Sequence, residues 1–336
     1  RHNILTGRRQ VREHAGFQCE ANGILCRVTR DSRIFRDPSM SDQTAIKKES
    51  QRPAGAHSGT SPALDETVSV EPTVGWHCTH SFYRFNRERL AELTETELSA
   101  GISAFKEVLN DGSSTSPVRL QKWIVPGHKA DFAVMALDPS PHAVDGVHQR
   151  LLASPLGVAI ESTYSFVGLT EVSEYLPTAE QFAKKLVKQG EDPESASYKA
   201  RVQGYATREP AMQKARLEPD FPPWPCACFY PMNKKRKVGE NWFTLPFSER
   251  SRLMAEHGAS GMKFGGRVSQ LITVSVGLDD WEWGVTLWAR RPEFLKEIVY
   301  TMRFDEASAR YAEFGPFYTG YVATADEILT HCQLAS

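Results

Sequence analysis

A long internal repeat constrains the fold of this 336-residue chain more than any other feature of its sequence. Residues 76–83 (WHCTHSFY) align with residues 224–231 (WPCACFYP), about 148 positions further on. Residues 131–137 (DFAVMAL) align with residues 282–288 (EWGVTLW), about 151 positions further on. Two pairs of segments at nearly equal offsets indicate a duplicated unit, because chance matches would not keep register. The period exceeds that of solenoid repeats, so the sequence predicts a domain duplication.

Each copy predicts the same order of elements, β-α-β-β-α-β, from its apolar spacing and turn residues. In the first copy we expect strands over 76–85, 119–126, 131–138 and 159–167, and helices over 87–109 and 141–153. In the second copy we expect strands over 225–232, 268–276, 281–290 and 314–323, and helices over 247–257 and 292–301. This order is that of the ferredoxin-like unit, so the predicted class is α+β with tandem ferredoxin-like (βαββαβ) repeats.

The repeat divides the chain into four regions. Residues 1–72 mix Arg, Ser, Gln, Pro and Gly with little periodicity, which predicts a disordered N-terminal extension. Residues 73–175 hold the first repeat and residues 223–336 the second. Between them, residues 176–222 form a connecting insertion with a charged amphipathic stretch and a proline-rich end.

Composition narrows the class of protein. Apolar residues make up 40% of the chain, charged residues 24%, and the formal net charge is −1. This balance is typical of a soluble globular protein that has no overall attraction to nucleic acid or anionic membranes. No apolar run approaches the roughly 18 residues that a membrane-spanning helix needs.

The cysteines predict a cytoplasmic protein with reduced thiols. Six cysteines are spread over the whole chain, and their spacing is not that of a disulfide framework. Cys226 and Cys228 would lie on one face of a strand, and no second Cys or His pair stands at zinc-finger spacing. The six are Cys19, Cys26, Cys78, Cys226, Cys228 and Cys332.

A tyrosine, a lysine and a histidine in the second copy form the strongest candidate site. Tyr230 lies on a predicted strand, and tyrosine is the side chain best able to carry a radical. Lys234, in the run KKRK, could deliver a proton or hold a carboxylate. His257 ends the predicted helix over 247–257, with Gly258 as the helix stop, and could offer an axial nitrogen to a haem iron. Each also has an ordinary interpretation: a core tyrosine, a solvated cationic cluster and a surface histidine.

Three further residues are weaker candidates. Arg216 could clamp an acidic substrate through two parallel hydrogen bonds. Gln270 begins an apolar strand, where it would bond the sheet or act as a neutral group beside a haem. Ser308 is by default a helix or loop hydroxyl. The sequence lacks a glycine-rich phosphate loop, a GxSxG elbow and an HExxH motif, so a hydrolase or a nucleotide enzyme has little support.

Residues 216–236, 241–258, 262–290 and 297–320 resemble the coproheme decarboxylases of the chlorite dismutase-like superfamily. The most specific segments are YPMNKKR from residue 230, LMAEHG from residue 253, DWEWGVTL from residue 280 and VYTMRFDEASARYAEFG from residue 299. The resemblance implies two ferredoxin-like units that form a dimeric α+β barrel-like subunit, usually in a homopentamer. It also implies that the second repeat binds haem.

The family's site residues carry over to positions of this sequence that match its motifs. The resemblance implies that His257 is the proximal iron ligand, that Tyr230 carries the radical, and that Lys234 supplies protons and binds propionate. Gln270 matches a neutral distal residue, at a position where chlorite dismutases look to carry an arginine. The pocket and propionate positions are Arg216, Met232 and Ser308, with Ser173 as a candidate from the first repeat.

The resemblance implies a specific reaction. It is the hydrogen-peroxide-dependent oxidative decarboxylation of two propionates of Fe-coproporphyrin III (coproheme) to vinyl groups, which gives haem b. The porphyrin would be substrate and redox cofactor together, and a ferrochelatase is an expected transient partner, with no nucleic acid and no membrane span involved. The alternatives are a chlorite dismutase or haem peroxidase of the same superfamily, a non-catalytic haem-binding protein, and a barrel of this type without porphyrin.

Overall fold

The computed structural model describes residues 68–335 of the chain. The predicted disordered extension over residues 1–72 therefore lies almost wholly outside the described residues, as do Cys19 and Cys26. In the described range, no helix is long and apolar enough to cross a membrane.

Antiparallel strands form the centre of the molecule. The strands are β1 (His77–Phe85), β2 (Arg119–Ile124), β3 (Phe132–Asp138), β4 (Ile160–Thr170), β5 (Cys226–Lys234), β6 (Arg236–Lys237), β7 (Glu240–Asn241), β8 (Val268–Val274), β9 (Trp283–Ala289), β10 (Ala312–Phe314) and β11 (Tyr318–Val322). Strands β6 and β7 form a separate small hairpin. The other strands belong to one sheet.

That sheet closes on itself. The order of hydrogen-bonded neighbours is β5-β11-β2-β3-β1-β4-β8-β9, and β9 pairs back onto β5. The first unit contributes β2-β3-β1-β4 and the second β8-β9-β5-β11, so the two units use the same internal order. They join where β4 pairs with β8 and where β11 pairs with β2. The predicted α+β class is confirmed, and the element order β-α-β-β-α-β occurs twice.

Most of the helices pack on the outside of the sheet, whereas α4 (Ala179–Lys188) and α5 (Ala196–Leu217) pack against each other. The helices are α1 (Arg87–Glu92), α2 (Glu95–Val108), α3 (Pro141–Ala153), α4 (Ala179–Lys188), α5 (Ala196–Leu217), α6 (Phe247–Met262), α7 (Pro292–Met302), α8 (Glu306–Tyr311) and α9 (Ala325–His331). The equivalent helices α3 and α7 both begin at a proline, whose fixed φ suits the first helical position.

Two predicted elements differ from the structure, and one long helix was not predicted. The helix predicted over 87–109 is broken, because Thr94 forms a capping box with Glu97 and starts α2 anew. The strand predicted over 314–323 is interrupted and appears as β10 and β11. The connecting segment contains the 22-residue helix α5, which the sequence pattern did not predict.

The helix over 247–257 was predicted to stop at Gly258, and this is wrong. Helix α6 continues to Met262. Gly258 has open space around it and no positive φ, so it continues the helix, whereas Gly266 has φ +76 and marks the turn after it. His257 therefore lies inside α6 and not at its end.

The interior of the barrel is filled with aromatic and polar side chains. His80 stacks on Phe229 with ring centres 4.1 Å apart, and its Nε2 lies 2.8 Å from Thr286 Oγ1. Burial lowers the pKa of His80 to about 3, so the ring is neutral. The indoles of Trp123 and Trp288 both donate to Gln121 Oε1, at 2.7 and 2.8 Å. This packed interior leaves the outer face of the sheet as the place where a ligand can bind.

Candidate active site

The alternation of side chains along β5 places three candidate residues on the outer face of the sheet. Phe229 belongs to the interior cluster, so the residues of opposite phase on the same strand point outward. Tyr230 belongs to the outer cluster, and Met232 packs against it. Lys234, at the end of β5, follows in the same phase. A phenol, a thioether and an amine therefore follow one another on a single face.

Tyr230 is enclosed by aromatic rings. Its side chain is 9% exposed, its ring stacks on Phe317 at 4.4 Å, and Phe314 meets it edge-on at 5.8 Å. Burial raises the pKa of the Tyr230 phenol well above its ordinary value, with Cys228 adding to the effect and Arg303 opposing it. The hydroxyl is therefore protonated throughout the physiological range.

Lys234 is partly buried beside an indole. Its Nζ lies 4.3 Å from the centre of the Trp242 ring, which is cation–π geometry. Burial lowers the pKa of Lys234 to about 8, although the Asp305 carboxylate acts in the opposite direction. Lys234 can thus exchange a proton near neutral pH, which an exposed lysine cannot do.

His257 is oriented by a buried carboxylate. Its Nδ1 donates to Asp305 Oδ2 at 3.0 Å, and Ser308 Oγ lies 3.2 Å from the same nitrogen. The Asp305 side chain is 1% exposed, whereas that of His257 is 24% exposed. Burial alone would raise the pKa of Asp305, but the hydrogen bonds from His257 and Ser308 outweigh it and lower that pKa. An ionised Asp305 keeps the proton on Nδ1 and leaves the Nε2 lone pair for a metal.

Gln270 lies on the same face as Tyr230. Leu271 belongs to the interior cluster, so Gln270 on β8 points outward, together with Ile272, which packs in the outer cluster. Register confirms the relation, because Gln270 lies opposite Leu287 and Tyr230 lies opposite Val285 on β9. The two side chains therefore belong to one patch of sheet, two strands apart.

The structure places the remaining candidates differently. Ser308 is buried beside His257 and Asp305, where its hydroxyl supports the imidazole. Arg216 is exposed in the last turn of α5, which Thr170 Oγ1 holds to β4 by donating to the Leu217 carbonyl at 2.7 Å. No hydrogen bond or ion pair between described residues joins Arg216 to the other six candidates.

Sequence reasoning missed two residues of this arrangement. Asp305 is 48 positions from His257, and its only sequence signal is that it precedes a short helix as an N-cap. Trp242 stands in the segment NWFTL, which carried part of the family resemblance but no role. Neither pairing could be read from spacing, because both depend on how separate elements pack.

The donor set fits an iron porphyrin that carries carboxylates. His257 offers a free nitrogen backed by a buried carboxylate, which is the usual setting of an axial ligand. Lys234 offers an ammonium for a carboxylate, and Tyr230 offers a buried phenol on the same side. Among the described residues, no cluster of three or more His, Cys, Asp or Glu side chains could hold a bare metal ion. The axial nitrogen, the ammonium and the phenol together suit a metal held within a macrocycle that carries carboxylates.

Comparison with known proteins finds relatives that match most of this chain. The family model described as chlorite dismutase matches residues 84–323. A coproheme decarboxylase from Oceanobacillus iheyensis is 34% identical over 263 residues, which span 77% of this chain and 96% of that protein. The structure of a protein from Thermus thermophilus, described as a novel heme-binding protein, has a TM-score of 0.61 at 33% identity and covers 79% of this chain and 98% of its own.

A more distant structure shows the fold alone. A chlorite dismutase variant from Candidatus Nitrospira defluvii has a TM-score of 0.59 at 17% identity, covering 79% of this chain and 98% of that one. The family match extends over most of the described residues and over both units of the barrel. The resemblance found in the sequence is therefore confirmed, and the chain belongs to the chlorite dismutase family.

Proposed function

We propose that this protein converts Fe-coproporphyrin III to haem b by oxidative decarboxylation of two propionates, with hydrogen peroxide as the oxidant. One observation carries the proposal: a buried phenol and a lysine of lowered pKa share the outer face of β5, on the side of the sheet that carries Gln270. The relative from Oceanobacillus iheyensis, named a coproheme decarboxylase, supports the same reaction.

His257 would hold the iron. Its Nδ1–H is engaged by Asp305, so Nε2 is the nitrogen available to the metal. A negatively charged partner makes the imidazole a stronger donor, while Ser308 limits rotation of the ring. When bound, the iron porphyrin supplies the metal centre at which peroxide is reduced.

Tyr230 would transfer the hydrogen. Its raised pKa keeps the O–H bond intact, so oxidation removes an electron and a proton together and leaves a neutral phenoxyl. The phenoxyl takes a hydrogen atom from the β-carbon of a propionate and becomes a phenol again. The C–C bond to the carboxylate would then break, carbon dioxide would leave and the vinyl group would form, with the two electrons lost by the propionate accounting for the reduction of one peroxide. Each propionate consumes one peroxide and one proton and yields one carbon dioxide and two waters.

Lys234 would bind the reacting propionate and supply that proton. With a pKa of about 8 the side chain is mostly ammonium at neutral pH, and it attracts a carboxylate. The same lowered pKa makes proton release easier than from an exposed lysine. Both actions need the ammonium, so activity should decline as the pH rises through about 8.

The other candidate residues would shape the pocket. Met232 lies between Tyr230 and Lys234 on β5 and would pack against the porphyrin edge. Gln270 would give the distal side a neutral group, and Arg216 would contact a propionate that does not react. Ser308, predicted as a second propionate contact, would instead hold the imidazole, because its hydroxyl lies 3.2 Å from His257 Nδ1. We place the haem-binding site within the second repeat, residues 223–336, with the first repeat at 73–175 and the connecting insertion at 176–222.

The assembly and setting belong to the same proposal. We infer a cytoplasmic homopentamer of dimeric α+β barrel subunits that receives its porphyrin by transient contact with a ferrochelatase. The four described cysteines are buried thiols, as is typical of a reducing compartment. Native mass spectrometry would count the subunits.

The product assay tests the reaction. The protein, loaded with coproheme, is titrated with hydrogen peroxide, and the porphyrin masses are read after each addition. We expect a three-propionate intermediate followed by haem b, with about two peroxides consumed per haem.

Two other outcomes would replace the proposal. Release of oxygen from chlorite without vinyl formation would assign a chlorite dismutase, the activity named in the family description. A stable haem complex that consumes no peroxide would assign a binding role, as in the description of the Thermus thermophilus protein.

A further inference from the structure

Lys234 is held by an aromatic ring, although its two neighbours are held by carboxylates. Lys235 Nζ lies 3.5 Å from Glu240, and Arg236 pairs with the buried carboxylate of Glu282. Among the described residues Lys234 takes part in no ion pair, and its Nζ instead lies 4.3 Å from the centre of the Trp242 ring. Of these three consecutive cationic side chains, two are paired with carboxylates and one packs on an aromatic ring.

The position of Trp242 is fixed by the chain around it. After β5 the chain reverses through the β6–β7 hairpin, whose turn contains Gly239 at φ +80. The reversal brings Trp242 back beside β5, where its backbone N–H donates to the Lys235 carbonyl at 3.0 Å. Its side chain is 4% exposed, and Tyr311 meets it edge-on at 5.6 Å. The indole is therefore a rigid surface for the ammonium.

The same packing connects Lys234 to the imidazole. Trp242 shares a buried cluster with Leu253, which lies on α6 one turn before His257. Ala307 and Tyr311 of the same cluster lie on α8, next to Ser308. A movement of Trp242 would consequently displace the ammonium relative to the iron ligand.

The strand end that carries Lys234 is also held in place. Glu282 accepts the Lys234 backbone N–H at 3.3 Å and binds Arg236 as well. The backbone N–H of Glu282 in turn donates to Asn233 Oδ1 at 2.8 Å. These hydrogen bonds fix the backbone position of Lys234, and the Trp242 ring fixes the position of its Nζ.

The charges that face Lys234 are already engaged elsewhere. The nearby carboxylate of Asp305 accepts from His257 and Ser308, and Glu282 is neutralised by Arg236. Lys235 is paired with Glu240. Asp305 favours the charged form of Lys234 without forming an ion pair with it, and the Trp242 ring is the group that contacts the ammonium and stabilises it through the negative face of its π system.

We propose that Trp242 is the positioning residue for Lys234, and that it takes the place of a carboxylate counter-ion so that the ammonium keeps its N–H donors for an anionic group of the substrate. A carboxylate partner would occupy those donors and compete with the substrate. An aromatic face attracts the charge without accepting a directed hydrogen bond from each N–H. This inference rests on the proposed function, because the anionic group would be the propionate that reacts.

The first test measures Lys234 in the protein without porphyrin. Competitive acetylation across a pH series, read by mass spectrometry of the Lys234 peptide, gives the pH at which half of the amine is protonated. We expect Trp242→Leu to lower that midpoint by about half a unit to one unit, the size of a partly desolvated cation–π interaction. Trp242→Phe keeps a weaker π face and should give a smaller decrease.

Tyr311→Leu is the matched control, because it removes a buried aromatic side chain from the same cluster without contacting the ammonium. A midpoint equal in Trp242→Leu and Tyr311→Leu would overturn the proposal. If Trp242→Leu does not fold, Trp242→Phe is compared with Tyr311→Phe, and an equal midpoint there has the same meaning.

The second test measures binding of a carboxylate ligand. Metal-free coproporphyrin III is titrated into the wild type, Trp242→Leu, Lys234→Gln and the double variant. If Trp242 acts through Lys234, the double variant should bind no more weakly than Lys234→Gln alone. If the loss of affinity in the double variant equals the sum of the losses in the two single variants, the proposal is contradicted.

The tests also separate this inference from the proposed function. A shifted midpoint in a protein that makes no vinyl product would retain the role of Trp242 and reject the reaction. An unshifted midpoint in a protein that makes haem b would reject the role of Trp242 and retain the reaction.

Discussion

In the first unit the outer face of the sheet is filled by apolar packing, whereas in the second unit the same face also carries the side chains of Tyr230, Lys234 and Gln270. Tyr83 stacks on Phe132 at 5.0 Å, and Phe105 meets Phe132 edge-on at 5.3 Å. Helix α9 adds Ile328 and Leu329, which are fully buried in the same cluster. The C-terminal helix of the chain thus closes the face of the first unit.

Register makes the comparison residue by residue. Ser81 lies opposite Val134 in the first unit, and Tyr230 lies opposite Val285 at the equivalent position of the second. The sequence alignment had matched Tyr230 with Phe82, so it was wrong by one residue along this strand. The next two outward positions are Tyr83 and Phe85 on β1, and Met232 and Lys234 on β5. The two equivalent faces therefore differ in kind: the first carries aromatic side chains at these positions and the second a thioether and an amine.

The largest expected effect separates the two tyrosines. Tyr230→Phe should reduce vinyl formation by a hundredfold or more, on the order of the loss when a group that transfers a proton in the transition state is removed. Tyr83→Phe loses only a hydrogen bond to His148, 2.9 Å long, and should leave turnover within about twofold. Product masses and coproheme affinity are measured for both. Equal turnover in the two variants would contradict the claim that the outer face of the second unit, and not that of the first, carries the reaction.

Stability should show the opposite pattern. Phe132 is fully buried, and Phe132→Ala should lower the free energy of unfolding by about 3–5 kcal/mol. Met232 is only partly buried, so Met232→Ala should lower it by about 1 kcal/mol. Urea denaturation followed by circular dichroism measures both. If the Met232 variant were the less stable one, the second face would be ordinary core.

The carboxylate behind the imidazole should affect metal binding. Asp305→Asn keeps the shape of the side chain but removes its charge, so affinity for coproheme should fall about 10–100-fold. The frequency of the iron–histidine vibration in the ferrous protein should fall too, because the imidazole becomes a weaker donor. Asp131→Asn is the control in the first unit, where Asp131 Oδ2 accepts the Phe85 N–H at 2.7 Å. An equal loss of affinity in both variants would indicate a general effect on folding.

The smallest expected effect is a shift in pH dependence. In the wild type, kcat/KM should be constant below the Lys234 pKa of about 8 and fall above it, because only the ammonium binds and donates. Lys234→Arg should move this descending limb to higher pH, since a guanidinium stays charged up to about pH 12. We expect the arginine variant to have a lower maximal kcat/KM. The comparison therefore uses the pH at which kcat/KM falls to half of its maximum in each protein. If the decline of kcat/KM occurs at the same pH in the wild type and in Lys234→Arg, the titrating group is not Lys234.

The sequence predicted the repeat more accurately than the individual helices. The two copies share the element order that the matched sequence segments predicted, and their strands follow the same order in the sheet. Helix α5 was missed, since it contains Pro210 and has no buried residue and therefore little apolar periodicity. The stop at Gly258 was wrong because glycine ends a helix only where the backbone turns left-handed.

The sequence predicted the candidate residues of the site but not the side chains that contact them. Tyr230, Lys234 and Gln270 were predicted from residue type and family resemblance, and the structure places them on one face of the sheet. The partners Asp305 and Trp242 depend on how α6, α8 and the β6–β7 hairpin pack together, which no local pattern encodes.

The structure of the protein bound to coproheme tests the central claim most directly. We predict that Nε2 of His257 coordinates the iron and that one propionate reaches both the Tyr230 hydroxyl and the Lys234 ammonium. An iron bound by another residue, or a porphyrin whose propionates all point away from Tyr230, would contradict the account.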